Sequence, residues 1–208
     1  MHPRYLQFLM EIPNEIKYRF FDALSENESL IQFETWLYSN PQIENLLPAD
    51  LYFDLIEFNY KQHDAKHLFG NILDRFISKG EFEEWKIRKM LSKALDNDKE
   101  LPKILVHFYD LYCNGYSFFD NLGLGYGLSV VTEDYGEEMM NASYANIKAE
   151  IENVIYWLDN KKIVLTGLQD EYNNYEYLDY RTSEEKKPSA YSVASLSNKN
   201  LKPWWKFW

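Results

Sequence analysis

The chain has 208 residues, 46% of them hydrophobic and 17% aromatic against 26% charged, which is the balance of a globular rather than a disordered protein and suits one domain. Its single cysteine, Cys113, excludes an intramolecular disulfide and a cysteine-rich zinc site. The apolar run before Glu11 is too short for a secretory signal and no segment is apolar for the depth of a bilayer, so a cytoplasmic protein without stable membrane insertion is expected.

Net charge is −11, unevenly spread: residues 186–208 carry five lysines and no carboxylate, which leaves −16 on the preceding body. An acidic body repels nucleic-acid phosphates and attracts basic surfaces, so the expected partner is a basic protein and not nucleic acid.

Pro13 opens a first helix in which Ile12, Ile16, Phe20 and Leu24 recur every four residues. Ser29 and Gln32 stand at capping-box spacing ahead of a stripe of Phe33, Trp36 and Leu37, which Asn40-Pro41 ends. After Pro48, Leu51, Leu55 and Phe58 share a helical face, with Tyr52 and Ile56 beside it. The spacing then predicts a helix with Asp64 as N-cap, running through Leu68, Ile72 and Phe76 to a C-terminal Gly80. Another follows from Phe82 and Trp85 through Ile87, Leu91 and Leu95. Pro102 opens a helix carrying Ile104, Leu105, Phe108, Tyr109 and Tyr112 inward, and Asn114-Gly115 closes it.

The grammar then changes. Five of the eight glycines lie between 115 and 136, and β-branched Val130, Val131 and Thr132 follow them, which predicts a strand from about Tyr126. A helix is expected over 142–158, with Ile147, Ile151, Val154, Ile155 and Leu158 on one side, then two strands, KKIVLTGL and YEYLDYRT, around a polar loop. The expectation is one α+β domain over 1–182, helical over 1–115 and mixed over 116–182, with a small antiparallel sheet and one long packed helix. Residues 183–208 read as a basic extension ending in LKPWWKFW, which could fold back on the acidic body or meet a membrane interface.

Three motifs invite a catalytic reading and none carries it. NLGLGYGLSVV at 121–131 resembles a phosphate loop, but a dinucleotide site needs a strand before the glycines and a helix after them, and the spacing here is G-x-G-x-G. The glycines are expected instead to allow close backbone packing, so that substituting Gly125 costs stability and abolishes no nucleotide binding. HDAKH sets His63 and His67 at i and i+4, the outline of a zinc hydrolase, but with the shorter Asp64 in place of Glu and no third ligand in view. His107 lies six residues before Cys113, which makes a poor facing pair and favours a buried structural thiol. No enzyme, metal or cofactor is expected.

Two acidic clusters follow predicted strands: Glu133, Asp134, Glu137 and Glu138 around Tyr135, and Asp170 and Glu171 beside Tyr172. If those strands are neighbours, the clusters converge, and carboxylates around tyrosines suit capture of a Lys/Arg-rich surface. The runs FETWLYSNPQIENLLPADLYFDLIEFNY and FYDLYCNGYSFFDNLGLGYGLSVV look similar to segments of small acidic bacterial immunity proteins of polymorphic toxin systems, over the first two-thirds of the chain. That resemblance implies a protein that binds and blocks a basic toxin domain, without implying which residues do so. A metal-dependent hydrolase using HDAKH and a membrane-associated adaptor using the tryptophan-rich tail are the alternatives.

Overall fold

The computed structural model describes residues 12–96, 99–132 and 137–187, and over 137–142 the backbone alone. The fold is α+β, a run of helices followed by a two-stranded antiparallel sheet. The chain, read from sequence as one domain over 1–182, divides into two compact units, Met1–Trp85 and Lys86–Trp208.

The first unit holds α1 (Asn14–Leu24), α2 (Leu30–Ser39), a 3-10 turn (Pro41–Leu46), α3 (Ala49–Glu57), α4 (Ala65–Leu73) and the start of α5 (Lys79–Asp96). Its core is aromatic: Phe33 meets Phe20 at 5.6 Å, Trp36 at 5.3 Å and Phe69 at 5.1 Å between ring centroids. Tilted and edge-on rings of this kind add to the burial term. The expected stripes of α1, α2 and α3 bury Ile16, Phe20, Phe33, Leu37, Leu51 and Leu55. Ser29 and Gln32 form the full capping box, each satisfying the other's backbone N–H.

Residues 64–80 correct the sequence reading. The buried stripe of α4 is Ala65, Phe69 and Leu73, while Leu68 is exposed, and the helix stops at Leu73 instead of reaching Gly80. Gly80 lies in the first turn of α5. Ser78 stands before it, its Oγ accepting Gly80 N–H at 3.1 Å while Glu81 Oε2 accepts Ser78 N–H at 3.4 Å. Ser78 and Glu81 therefore form a start signal of their own, which outweighs a glycine's tendency to stop. Asp64 makes no capping bond; its Oδ1 lies 2.8 Å from His63 Nδ1.

The second unit holds the rest of α5, α6 (Leu101–Cys113), a 3-10 turn (Ser117–Phe119), a π-helical segment (Asp120–Gly127), α7 (Leu128–Val131), α8 (Glu137–Asp159), β1 (Ile163–Gln169) and β2 (Tyr175–Asp179). The strand expected from Tyr126 is absent, because 120–131 is helical throughout. Gly123 and Gly127, four apart, leave one face of that segment bare against α6. A Cβ on Gly123 would lie 2.5 Å from Phe108 O and 3.0 Å from Tyr112 Cβ, and one on Gly127 would run into Leu105 O with Tyr109 Cβ at 2.9 Å. The close packing expected of the glycines is real, but it joins helices and falls at 123 and 127, not at 125. Leu122 and Tyr126 are buried beside them, and this packing overrides the β preference of Val130 and Val131. Cys113, expected to be buried, is exposed at the end of α6.

Candidate functional site

The hairpin of β1 and β2 is the only sheet among the described residues, and one of its faces is firmly held. Val164 pairs with Leu178 and Leu165 with Tyr177, and alternation along the strands sends Ile163, Leu165, Tyr175 and Tyr177 inward. Ile163 and Leu165 are buried. Tyr175 stacks on Tyr116 at 4.8 Å, Tyr177 meets Phe118 edge-on at 5.1 Å, and the Tyr177 hydroxyl lies 2.7 Å from Ser117 Oγ. Gly115 permits this docking. Its φ of 112° is open to glycine, a Cβ there would sit 2.8 Å from Tyr175 O, and the adjacent Asn114 O accepts Tyr175 N–H at 2.7 Å.

The foot of the hairpin is pinned by charge. Arg181 donates to Asp179 through Nε at 3.1 Å and a terminal nitrogen at 3.0 Å, and its guanidinium lies 4.5 Å from the Trp157 ring. Burial works against the Asp179 carboxylate, but the Arg181 bonds prevail and hold its pKa below the usual range. Lys162 pairs with Glu185, and Lys186 Nζ lies 3.3 Å from Asp179.

The tip is built by Asp170. One carboxylate oxygen accepts the backbone N–H groups of Tyr172 and Asn174, each at 2.8 Å, and the other accepts Asn174 Nδ2 at 2.9 Å. Asn173 N–H donates to Asp170 O at 3.0 Å, and Asn173 takes the left-handed φ of 65° that asparagine tolerates. These donors, led by Asn174, lower the Asp170 pKa, so the turn carries a fixed negative charge. Tyr172 projects from it with 75% of its surface exposed.

The outer face is open: Leu178 is 47% exposed and Tyr180 63%, while Leu168, 56% exposed, lies in the irregular stretch between Leu165 and Gln169 where the register shifts. Residues 163–179 contain four carboxylates, Asp170, Glu171, Glu176 and Asp179, and no lysine or arginine. The hairpin thus presents rings and aliphatic groups among negative charges on a framework whose other face is locked.

Of the residues singled out in the sequence, Asp170, Glu171 and Tyr172 come together in this turn. Glu133, Asp134 and Tyr135 lie outside the described residues, as does 188–208 of the basic tail. Glu137 and Glu138 open α8, where the backbone alone is described. The premise that joined the two clusters, neighbouring strands, does not hold, because the segment ahead of Glu133 is helical. His63 precedes α4, so it and His67 do not share a helical face; His67 Nε2 lies 3.2 Å from Asn71 Nδ2. Among the described residues no group of three or more His, Cys, Asp or Glu is placed to hold a metal ion, and no helix is long and apolar enough to cross a membrane.

Sequence reasoning missed a buried polar contact. Glu150, 3% exposed on α8, accepts Asn121 Nδ2 at 3.0 Å, tying α8 to the π-helical segment. Next to it, burial raises the Asp120 pKa against the bond from Asn121 N–H and the attraction of Arg181. The signal was present: Glu150 falls three residues after Ile147 and four before Val154, within the apolar stripe of α8.

No protein-family profile matches the chain, and no curated protein or solved structure matches it either.

Proposed function

We propose that the protein is a non-catalytic binding module that captures a basic protein on its β-hairpin, in the manner of an immunity protein that occludes the active site of a toxin domain. The observation that carries this reading is Tyr172, an aromatic side chain 75% exposed on a turn that Asp170 holds with three hydrogen bonds. A rigid support removes much of the ordering cost of binding, and tyrosine joins a large apolar area to a polar tip, which is why such residues recur as interface anchors. Glu171 and Glu176 supply the charge that steers a Lys/Arg-rich surface toward it. Occlusion needs nothing more, since covering an active site requires neither a nucleophile nor a metal in the inhibitor.

The test is a pull-down of the product of the neighbouring gene, with wild-type protein and with Tyr172→Ala. Retention by the wild type, weakened by the substitution and by added salt, is the expected result. No retained protein, or retention indifferent to both changes, counts against the reading.

A further inference from the structure

Residues 20–60, within the first unit, hold eight carboxylates and no lysine, arginine or histidine. Arg19, Lys66 and Arg75 reach in from outside this stretch to pair with Glu28, Glu26 and Asp54. Glu34, Asp50 and Glu57 have no ion-pair partner among the described residues.

These three stand beside exposed apolar groups. On α3, Leu51 and Leu55 face the core, and Phe53, 59% exposed, lies on the opposite side with Asp50 three residues before it and Glu57 four after it. On α2, Ile31, Glu34 and Tyr38 fall at i, i+3 and i+7 along one stripe that leaves Phe33 and Leu37 to the core. Tyr38 is 54% exposed, and its hydroxyl donates to Ile56 O at 2.8 Å, which carries its ring across to the last turn of α3. Phe53 stands one turn before Ile56, its ring 6.3 Å from that of Tyr52. The two helices therefore share one surface of exposed apolar groups edged by carboxylates.

The stability of α3 does not explain Glu57. It is the last residue of the helix, where the dipole disfavours a negative charge, and no cation among the described residues offsets it. The exposed Phe53 beside it gains little from burial. Local choices that work against the fold are expected where a partner supplies the compensation.

The charge selects the occupant. Anionic lipid, nucleic acid and a second copy of this face would each bring like charge against Glu34, Asp50 and Glu57. A helix with an apolar stripe edged by lysine or arginine brings opposite charge, and Ile31 and Tyr38, about 10 Å apart along α2, match the i to i+7 spacing of its anchors.

We propose that α2 and α3 form a second docking surface, which binds a basic amphipathic helix of a partner protein, its apolar stripe on Ile31, Tyr38 and Phe53 and its cations at Glu34, Asp50 and Glu57. The surface lies wholly in the first unit and does not depend on the hairpin reading.

The probe is a synthetic amphipathic helix of leucine and lysine, titrated into the full-length protein and followed by backbone amide NMR. Shifts are expected to gather on 31–38 and 50–57, and the same peptide with glutamate for lysine should give none. Phe53→Ser alters only an exposed side chain, with the fold checked by far-UV circular dichroism, and is expected to weaken the affinity read at these amides about tenfold. Glu57→Gln should weaken it about threefold at about 0.05 M salt and leave it unchanged at about 0.5 M, while the melting temperature stays level or rises. A Glu57 that served only its own helix would give no change in affinity. Tyr172→Ala is expected to leave the α2 and α3 titration unchanged.

No shifts, shifts confined to the hairpin, or equal affinities of wild-type and Phe53→Ser protein overturn the proposal, and shifts confined to the hairpin would at the same time support capture there. Self-association in sedimentation velocity that Phe53→Ser abolishes would assign the face to a second copy, and co-sedimentation with anionic phospholipid vesicles that Phe53→Ser abolishes would assign it to a membrane surface. Either result also overturns the proposal, and neither bears on the hairpin.

Discussion

Replacing Gly123 by alanine tests how the second unit is held together. The added Cβ would lie 2.5 Å from Phe108 O and 2.9 Å from Phe108 C, both backbone atoms that cannot swing aside. Ordinary contact distances start near 3.5 Å, so α6 and the π-helical segment must part by roughly 1 Å along that direction. The interface that opens contains Phe108 stacked on Phe119 at 4.9 Å, with Leu105, Leu122 and Tyr126 buried around it. A gap of that size forfeits a quarter to a half of each dispersion contact, and overpacking of this type costs about 1–3 kcal/mol. Alanine returns up to about 1 kcal/mol through helix propensity, which leaves a net loss of roughly 1–2 kcal/mol. For a unit of this size that is a fall of about 4–8 °C in melting temperature. Gly125→Ala is the control. It lies half a turn from the packed face, its φ is not positive, and alanine there is expected to be neutral or stabilising by up to about 1 kcal/mol. Urea unfolding of both variants, followed by amide exchange over 101–131, gives the comparison. A Gly123→Ala protein as stable as wild type, or a larger loss from Gly125→Ala, would refute the packing argument.

Further outcomes follow from the site. Asp170 has a folded pKa below its unfolded value, so its contribution is present above the unfolded value and is lost as pH falls through the folded one; the Tyr172 and Asn174 amide signals should shift together with the Asp170 carboxyl in an acid NMR titration, and independent shifts would argue against the turn. Asp120 runs the other way: its raised folded pKa means that stability falls as pH rises from the unfolded value through the folded one, so Asp120→Asn should flatten that slope in denaturation series taken at several pH values. Glu150→Ala leaves Asn121 Nδ2 without its acceptor in a buried site, at an expected cost of about 1–3 kcal/mol, whereas Glu150→Gln keeps an acceptor oxygen and should cost less in the same urea assay. Ser29→Ala removes a complete capping box and should destabilise the first unit by about 0.5–2 kcal/mol.

What the sequence revealed depended on how local the determinants were. The stripes of α1, α2 and α3, the Ser29 cap and the two strands are written in spacing and turn chemistry within a dozen residues, and they hold. The glycine run misleads because Gly123, Gly125 and Gly127 alternate like a strand, while the contact that decides the matter, α6 passing against 123 and 127, lies some fifteen residues away in the chain. The four-residue spacing of Leu122 and Tyr126 was the helical signal, outvoted by Val130 and Val131. Residues 64–80 differ for a nearer reason: Gly80 has the look of a stop, while Ser78 and Glu81 form a start that outweighs it. At the candidate site, composition exposed Asp170, Glu171 and Tyr172 but not why the turn is stiff, since the bonds of Asp170 to Tyr172 and Asn174 are set by the turn geometry, which composition does not show. The outer face was illegible because Leu178 and Tyr180 look like ordinary strand residues until the register decides which side is covered.

The measurement that bears most directly on the account is calorimetric titration of the neighbouring gene's product into wild-type and Tyr172→Ala protein at about 0.05 M and 0.5 M salt. A loss of about 2 kcal/mol, roughly thirtyfold in Kd, for Tyr172→Ala is what an anchoring tyrosine at the centre of an interface produces, with weaker wild-type binding at the higher salt. Equal affinities for the two proteins at both salt concentrations would contradict capture through the hairpin.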